Sequence, residues 1–255
     1  MTFCVAMKVR EGIVAVSDSR ITAGGEVSTA SKVTVNHQER HAMFVMTSGL
    51  RSARDKALTY FEEAMEQGHA PFDKLYKAVN AFATQMRLVE AEDREALAAA
   101  NLRFNLNALV GGQCENDREP RLYLLYPQAN WVEVSRETPY FLIGETGYAK
   151  PLLDRSLHYD TPLEVALKIG YLAFEATRTS TSATDFPMDV VIYRRDSFRL
   201  RQVRYQTAEL SAASDWWTEK VRGLIDALPA EWVDRALGDE GGNVTPLRAQ
   251  PADEA

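Results

Sequence analysis

The chain has 255 residues, and 45% of them are hydrophobic, so it can bury a substantial core within one large domain. Its formal net charge of −7 argues against nucleic acid as the main partner, because phosphate binding requires clustered Lys and Arg side chains. Because the sequence shows neither a long apolar run nor a secretion signal, we expect a cytoplasmic protein that does not bind membranes.

The N-terminal part of the chain alternates apolar, β-branched segments with turns, which predicts two β-hairpins. The four predicted strands are 2–9, 13–18, 33–35 and 42–47. The first hairpin turns at Gly12. At its start, Thr2 directly follows Met1, and we expect no leader segment before it.

The remainder of the chain passes from helices to strands twice. Apolar residues at three- and four-residue spacing predict helices, whereas short apolar and β-branched runs predict strands. The predicted helices are 50–67, 72–100, 147–157, 161–178 and 208–237. The predicted strands are 104–112, 121–126, 131–143, 188–193 and 198–205.

This order of elements predicts an α+β fold, a four-layer αββα sandwich in which two antiparallel sheets pack face to face with helices outside. We expect residues 2–205 to form this domain, 206–237 a helical extension packed on it or on a neighbouring subunit, and 238–255 a flexible tail. Trp216 and Trp217 point about 100° apart on a helix. At most one should therefore be fully buried, and the other is a candidate interface anchor.

The sequence lacks the common motifs for catalysis and cofactor binding. We find no P-loop, no GxGxxG and no GxSxG segment, and the histidines do not have the spacing of metal ligands. Cys4 and Cys114 lie in separate apolar runs and are expected to be buried free thiols. The sequence therefore predicts neither a metal nor an organic cofactor.

Thr2 offers a chemistry that needs none of these motifs. Once Met1 is removed, it carries a hydroxyl nucleophile together with an α-amine whose usual pKa is about 7.7–8.0, close to that of a useful base. Asp18 ends the second strand and returns towards Thr2 in the hairpin, and Lys32 opens the third strand. A lysine near Thr2 would lower the pKa of the amine and of the hydroxyl, and Asp18 would pair with it. Each residue alone is also common in structural roles.

Three features together resemble the signature of proteasome β-type subunits and their bacterial relatives. They are Thr2, the run Asp18-Ser19-Arg20-Ile21-Thr22-Ala23-Gly24, and Lys32. The segment Met46-Thr47-Ser48-Gly49 resembles the strand end that supplies the family's oxyanion-hole N–H, which would fall on Gly49. The Met-Thr start and the helical C-terminus are most similar to the bacterial ancestral β-subunit (Anbu) branch. The likeness covers residues 2–205, with specific motifs within 2–50.

This resemblance implies a threonine-type peptidase that acts on peptides or unfolded proteins without a cofactor. It also implies a homo-oligomeric ring or spiral, with an ATP-dependent unfoldase as a candidate partner. The implied roles are nucleophile for Thr2, fixed positive charge for Lys32, orientation of that charge for Asp18 and oxyanion stabilisation for the Gly49 N–H. By family position, the substrate residue before the cut would meet Ile21, Thr22, Thr47 and Arg51.

The chain also departs from the family pattern in its supporting residues. Active subunits carry a Ser-Gly pair after the middle strands, where this chain has Glu145 followed by Thr146. Supporting roles fall on Glu145 and, by a loose alignment, on Ser180 and Ser182, and no late Asp is found at its expected place. Two alternatives therefore stay open: a non-catalytic assembly subunit, and an N-terminal-nucleophile amidase that acts on small amides.

Overall fold

The computed structural model describes residues 2–23, 26–67 and 72–237, and it describes no side chains for residues 22–27, 37 and 38. The predicted flexible tail, 238–255, lies outside the described residues. The chain divides into two compact units, Met1–Leu210 and Ser211–Ala255. The expected domain over 2–205 and extension over 206–237 stay predictions. No helix in the described ranges is long and apolar enough to cross a bilayer.

The described residues form strands and helices in the following order along the chain. The strands are β1 (Phe3–Val9), β2 (Gly12–Asp18), β3 (Arg20–Ala23), β4 (Glu26–Thr29), β5 (Val33–Gln38), β6 (His41–Ser48), β7 (Asn107–Gln113), β8 (Arg121–Leu125), β9 (Trp131–Glu133), β10 (Tyr140–Gly144), β11 (Met188–Arg194) and β12 (Leu200–Tyr205). The helices are α1 (Arg51–Gln67), α2 (Leu75–Ala99), α3 (Lys150–Ser156), α4 (Leu163–Ser180), α5 (Thr207–Asp226) and α6 (Glu231–Leu237).

Two antiparallel five-stranded sheets form the centre of the first unit. The first has the strand order β10-β1-β2-β11-β12, and the second has the order β5-β6-β7-β8-β9. Between them lies a layer of buried side chains that includes Ala6 and Ile13 from the first sheet and Phe44 and Leu109 from the second. Helices α3 and α4 cover the outer face of the first sheet, and α1 and α2 cover that of the second. The predicted αββα sandwich is confirmed.

The central strands β1 and β2 are buried along their whole length. In β1, Val5 and Met7 pack in the layer beside the helices, whereas Cys4 and Ala6 face the second sheet. A strand covered on both faces has no solvent side, which explains why this segment is a continuous apolar run in the sequence. The register places Cys4 opposite Ser17, so the end of β2 lies beside the start of β1.

The prediction of one strand over 131–143 is wrong, because the chain changes sheet within it. Strand β9 is at the edge of the second sheet, and β10 is at the edge of the first, next to β1. Pro139 lies between them and has no N–H to donate to a sheet. The structure also contains a short hairpin that the sequence did not predict, β3 paired with β4.

The prediction of one helix over 208–237 is wrong as well. Helix α5 ends at Asp226 and α6 begins at Glu231. Pro229 lies between them, and a proline both lacks the N–H that a helix needs and disfavours helical geometry in the residue before it. Trp216 is exposed and Trp217 is half-buried, so neither is fully buried. The other predicted elements are present, with ends that differ by a few residues.

Candidate active site

Asp18 and Lys32 form a buried ion pair at the start of β1. Lys32 Nζ donates to Asp18 Oδ1 over 2.6 Å and to the carbonyl oxygen of Arg20 over 2.9 Å. The same Asp18 oxygen accepts the backbone N–H of Phe3 at 2.8 Å. The expected pairing of these two residues is therefore present, and Asp18 is also bonded directly to the backbone next to Thr2.

The surroundings of Asp18 act on its pKa in opposite directions. Burial disfavours the ionised carboxylate and raises the pKa, whereas the Lys32 charge and hydrogen bonds from Lys32 and from the backbone of Phe3 and Arg20 oppose this, and the net direction is upward. Asp18 is fully buried and Lys32 is only 6% exposed. A buried charge pair of this kind adds little to stability, because the cost of removing both charges from water offsets their attraction.

Thr2, Lys32 and Gly49, which lie far apart in sequence, line one cleft of about 760 Å³. Of the predicted substrate-binding residues, Ile21, Thr47 and Arg51 line the same cleft, whereas the side chain of Thr22 is outside the described part of the structure. Further lining residues that the sequence did not single out are Arg20, Ser28, Ser48, Leu50, Arg54, Asn105 and Gly144.

Two glycines shape the backbone around this cleft. Gly144 has a φ of +87°, and a β-carbon there would overlap the carbonyl oxygen of Thr2. The adjacent Glu145 N–H donates to that same oxygen at 2.7 Å, which fixes Thr2 against β10. Gly49 has a φ of +131°, and a β-carbon there would overlap the backbone of Asn105. Only glycine fits either conformation and space.

A second buried carboxylate, Asp189 of β11, lies next to the ion pair and was missed by the sequence reasoning. Asp189 Oδ2 accepts Ser19 Oγ at 2.6 Å, and Ser31 Oγ lies 3.1 Å from it. Arg204 donates to both oxygens, over 2.7 and 2.8 Å. Burial acts to raise the pKa of Asp189, but Arg204 and the two serines outweigh it, so that the pKa lies below its usual value. The one signal in the sequence is a lone acidic residue inside the apolar run 188–193.

The residues predicted to support the site have different outcomes. Glu145 lines the cleft, but Ser180 and Ser182 are exposed and do not line it. No late Asp was found at its expected place in the sequence, and this stays a prediction; in the structure, Asp185 forms an ion pair with Arg20 at 3.0 Å and Asp189 Oδ2 accepts a hydrogen bond from Ser19 Oγ. Both contacts depend on the return of the chain after α4, which sequence spacing alone does not reveal.

The remaining nucleophiles and metal-binding groups of the described chain offer no competing site. Cys4 and Cys114 are free and buried, as expected, and burial raises the pKa of both thiols, that of Cys114 to about 12. Neither thiol is therefore prepared as a nucleophile. Among the residues that the structure describes, no three His, Cys, Asp or Glu side chains lie close enough together to hold a metal ion.

Comparison with known proteins identifies the family. The model of the proteasome subunit family matches residues 2–193. The chain therefore belongs to the proteasome subunit family, whose fold is the sandwich described above. A search of curated proteins finds no significant match.

Solved structures of Anbu, the ancestral β-subunit, are similar to this chain. The protein from Yersinia bercovieri is 30% identical with a TM-score of 0.81, and the match covers 89% of this chain and 98% of that one. The Pseudomonas aeruginosa protein, described as a helical assembly of the Anbu complex, is 31% identical with a TM-score of 0.82, over 89% and 97%. A mutant from Hyphomicrobium sp. strain MC1 is 27% identical with a TM-score of 0.82, over 90% and 98%.

Proposed function

We propose that this chain is a threonine-type peptidase that hydrolyses peptide bonds in peptides or unfolded proteins. The observation that carries the proposal is the ammonium of Lys32, held by Asp18 and by the Arg20 carbonyl oxygen in the cleft that Thr2 and Gly49 line. Membership of the proteasome subunit family supports a hydrolase of the N-terminal-nucleophile type. The finer assignment, a threonine nucleophile, rests on the residues of this cleft.

In the proposed reaction, removal of Met1 gives Thr2 a free α-amine. Thr2 Oγ attacks the substrate carbonyl carbon, and the α-amine accepts the hydroxyl proton, directly or through a water. Lys32 lowers the pKa of both groups because a nearby positive charge disfavours the protonated amine and favours the alkoxide. The N–H of Gly49 would stabilise the tetrahedral oxyanion, a contact worth about 2.7–4 kcal/mol in other hydrolases. When the intermediate collapses, the C–N bond breaks and the α-ammonium returns its proton to the leaving amine, which departs as the first product. Water then hydrolyses the acyl-enzyme ester, which releases the acid product and restores Thr2.

Covalent capture of Thr2 tests this proposal. A peptide epoxyketone reacts with both the hydroxyl and the amine of an N-terminal threonine, so one adduct reports on both groups. We expect intact-protein mass spectrometry to show loss of Met1, and peptide mapping to place the adduct on Thr2. Thr2→Ala should abolish labelling, whereas Thr59→Ala, at an exposed position of α1, should not change it. Retention of Met1 in the mature protein would contradict the proposal.

Glu145 keeps a second function under consideration, that of an assembly subunit without turnover. It lies in the cleft at the place where active relatives are expected to carry a serine. Absence of labelling in a correctly folded protein without Met1 would favour this alternative. A third candidate function is that of an amidase for small amides. Protein that reacts with the epoxyketone distinguishes it from a peptidase when its hydrolysis of a peptide library is compared with its hydrolysis of small amides.

We further propose that the protein works as a homo-oligomer in which a second copy covers the C-terminal helices. No residue of α5 or α6 is buried, and their exposed side chains include Trp216, Leu224, Ile225 and Trp232; Leu228, between the two helices, is exposed as well. In proteins, most of the stability of a helix comes from packing of its nonpolar face. The helical assembly described for the Pseudomonas aeruginosa relative supports self-association as the way in which this face is covered. A ring or a spiral fits these features, and an ATP-dependent unfoldase stays a candidate partner.

Light scattering of the purified protein tests this assembly. Replacing Trp216 and Ile225 by Glu should reduce the particle mass, because buried aromatic anchors dominate interface energies. The matched variant replaces the charged Glu219 and Lys220 of the same helix by Gln and should keep the mass. A monomeric wild-type protein at high concentration would contradict self-association.

A further inference from the structure

One oxygen of Asp189 connects the two chain segments that hold the lysine of the active site. Asp189 is 1% exposed, and its position in β11 is opposite Ser17 of β2 and Arg204 of β12. Its Oδ2 lies 2.6 Å from Ser19 Oγ and 3.1 Å from Ser31 Oγ. Ser19 follows β2, whereas Ser31 precedes β5 in the other sheet. The carboxylate therefore joins the two sheets at the edge of the cleft.

Ser19 and Ser31 are adjacent in sequence to Lys32 and to the two residues that accept hydrogen bonds from its ammonium. Ser19 lies between Asp18 and Arg20, whose carboxylate and carbonyl oxygens accept the Lys32 ammonium. Ser31 directly precedes Lys32. Fixing Ser19 therefore fixes both acceptors, and fixing Ser31 fixes the backbone from which the lysine side chain extends. A lysine stem is flexible, so its ammonium is positioned only when both ends are held.

Arg204 supplies the charge that keeps this carboxylate an acceptor. It donates Nε to Oδ1 and Nη2 to Oδ2, a two-pronged contact that holds the carboxylate plane. Arg204 Nη2 also lies 3.2 Å from Ser19 Oγ. Ser31 has a local alternative, since its Oγ also lies 3.1 Å from the carbonyl oxygen of Val33. The contact with Asp189 thus selects one of two hydroxyl directions for Ser31.

We propose that Asp189 is a positioning residue for the reaction, which holds the Lys32 ammonium beside Thr2 by fixing Ser19 and Ser31 with one carboxylate oxygen. This proposal rests on the proposed function. Asp189 does not line the cleft and contacts no reacting atom. Its effect on Thr2 passes through the placement of the positive charge.

The test measures the rate of Thr2 labelling by a peptide epoxyketone as a function of pH, with the full-length protein after Met1 removal. Asp189→Asn keeps the size of the side chain but removes its charge and replaces one of its two acceptor oxygens by an N–H donor, so the carboxylate can no longer hold Arg204 and the two serines together. We expect the rate at neutral pH to fall roughly tenfold or more, because a displacement of ~1 Å can cost up to ~100-fold. We also expect the midpoint of the pH profile to rise, since a displaced ammonium no longer lowers the pKa of the α-amine. The other charged residues around Thr2, which stay unchanged, are Arg20, Arg51, Arg54 and Glu145.

Two further variants separate positioning from general loss of structure. Ser31→Ala leaves the Asp189–Arg204 pair intact. It should lower the labelling rate and raise the midpoint of the pH profile, as Asp189→Asn does, but to a smaller extent. Combined with Asp189→Asn, it should add no further change, because both act through one contact. Asp117→Asn is the matched control. Its carboxylate accepts the backbone N–H of Leu75 and of Cys114, so it should lower stability without moving the midpoint.

Several outcomes would overturn the inference. One is a folded Asp189→Asn protein with the wild-type rate and midpoint, and another is an equal change of rate and midpoint in Asp117→Asn. Should Asp189→Asn fail to fold, Ser31→Ala decides, and unchanged values there would reject the proposal. A wild-type protein that is not labelled at Thr2 at all would overturn the proposed function and this inference with it, so the two failures are distinct.

Discussion

Two buried lysines near opposite ends of β1 form similar ion pairs in different surroundings. Lys32 contacts Asp18 at 2.6 Å beside the start of β1, and Lys8, near its end, contacts Glu119 at 3.0 Å. The Asp18 side chain is fully buried, whereas that of Glu119 keeps 18% of its exposure. Burial raises the pKa of Asp18. At Glu119, burial is outweighed by Lys8 and nearby arginines, and the pKa falls below its usual value.

The proposed function gives these two pairs different roles. The Lys8 pair keeps its carboxylate partly in water with several cations around it, an arrangement that contributes to stability. The Lys32 pair places a carboxylate where burial outweighs its partners, which is unfavourable for folding. In this pair, however, the Lys32 ammonium is held in place in the cleft that Thr2 also lines. The following predictions separate these two roles.

The largest expected effect is on reactivity. Lys32→Met should lower the rate of Thr2 labelling by roughly 100-fold or more, the size of loss seen when a preorganised electrostatic contact is removed. Lys8→Met should leave the rate near that of the wild type. Both variants should lose stability in urea unfolding, because removal of one partner from a buried pair costs about 3–5 kcal/mol. Equal loss of labelling in both would contradict the distinction.

The next effect concerns the backbone that holds Thr2. Gly144→Ala places a β-carbon against the Thr2 carbonyl oxygen and forces alanine into a φ of +87°, so it should displace Thr2 and lower both the labelling rate and the melting temperature. Gly147→Ala is the control, because its β-carbon would meet no atom within 4 Å. A Gly144→Ala protein with wild-type labelling would show that Thr2 does not depend on this contact.

The smallest expected effect concerns how the contributions of Glu119 and Asp18 to the free energy of unfolding change with pH, in opposite directions. The pKa of Glu119 is lowered by folding, so its stabilisation is present above the usual value of 4.5 and is lost as pH falls through the folded pKa. The pKa of Asp18 is raised, so its contribution is present below the usual value of 3.8 and is lost as pH rises through the folded pKa. Urea titrations in acid should therefore show opposite slopes for the differences between wild type and Glu119→Gln or Asp18→Asn. If both differences changed with pH in the same direction, the opposite pKa shifts of Glu119 and Asp18 would be contradicted.

The sequence predicted those parts of the fold and site that depend on local geometry. The hairpin around Gly12 brings Asp18 back to the start of β1. The lengths of the two strands and the position of the turn are therefore enough to predict that Asp18 lies near Thr2. The continuous apolar runs of β1 and β2 likewise indicated strands covered on both sides. The position of Gly49 was reached through the family resemblance rather than through geometry.

The parts that the sequence did not predict depend on distant pairings. Asp189 meets Ser19 across 170 positions because β11 pairs with β2, and no local pattern specifies that pairing. The division of 131–143 between two sheets also depends on tertiary contacts, since β9 and β10 are both apolar enough for one strand. The break between α5 and α6 does have a local signal, Pro229, although apolar residues continue at helical spacing on both sides of it.

The most direct test of the account is the pKa of the Thr2 α-amine in the folded protein, measured by NMR titration with ¹⁵N-labelled threonine. We predict a pKa below the usual value of about 7.7 in the wild type and a return to that value in Lys32→Met. A value at or above the usual one in the wild type, unchanged in Lys32→Met, would contradict the claim that Lys32 prepares this amine as the base.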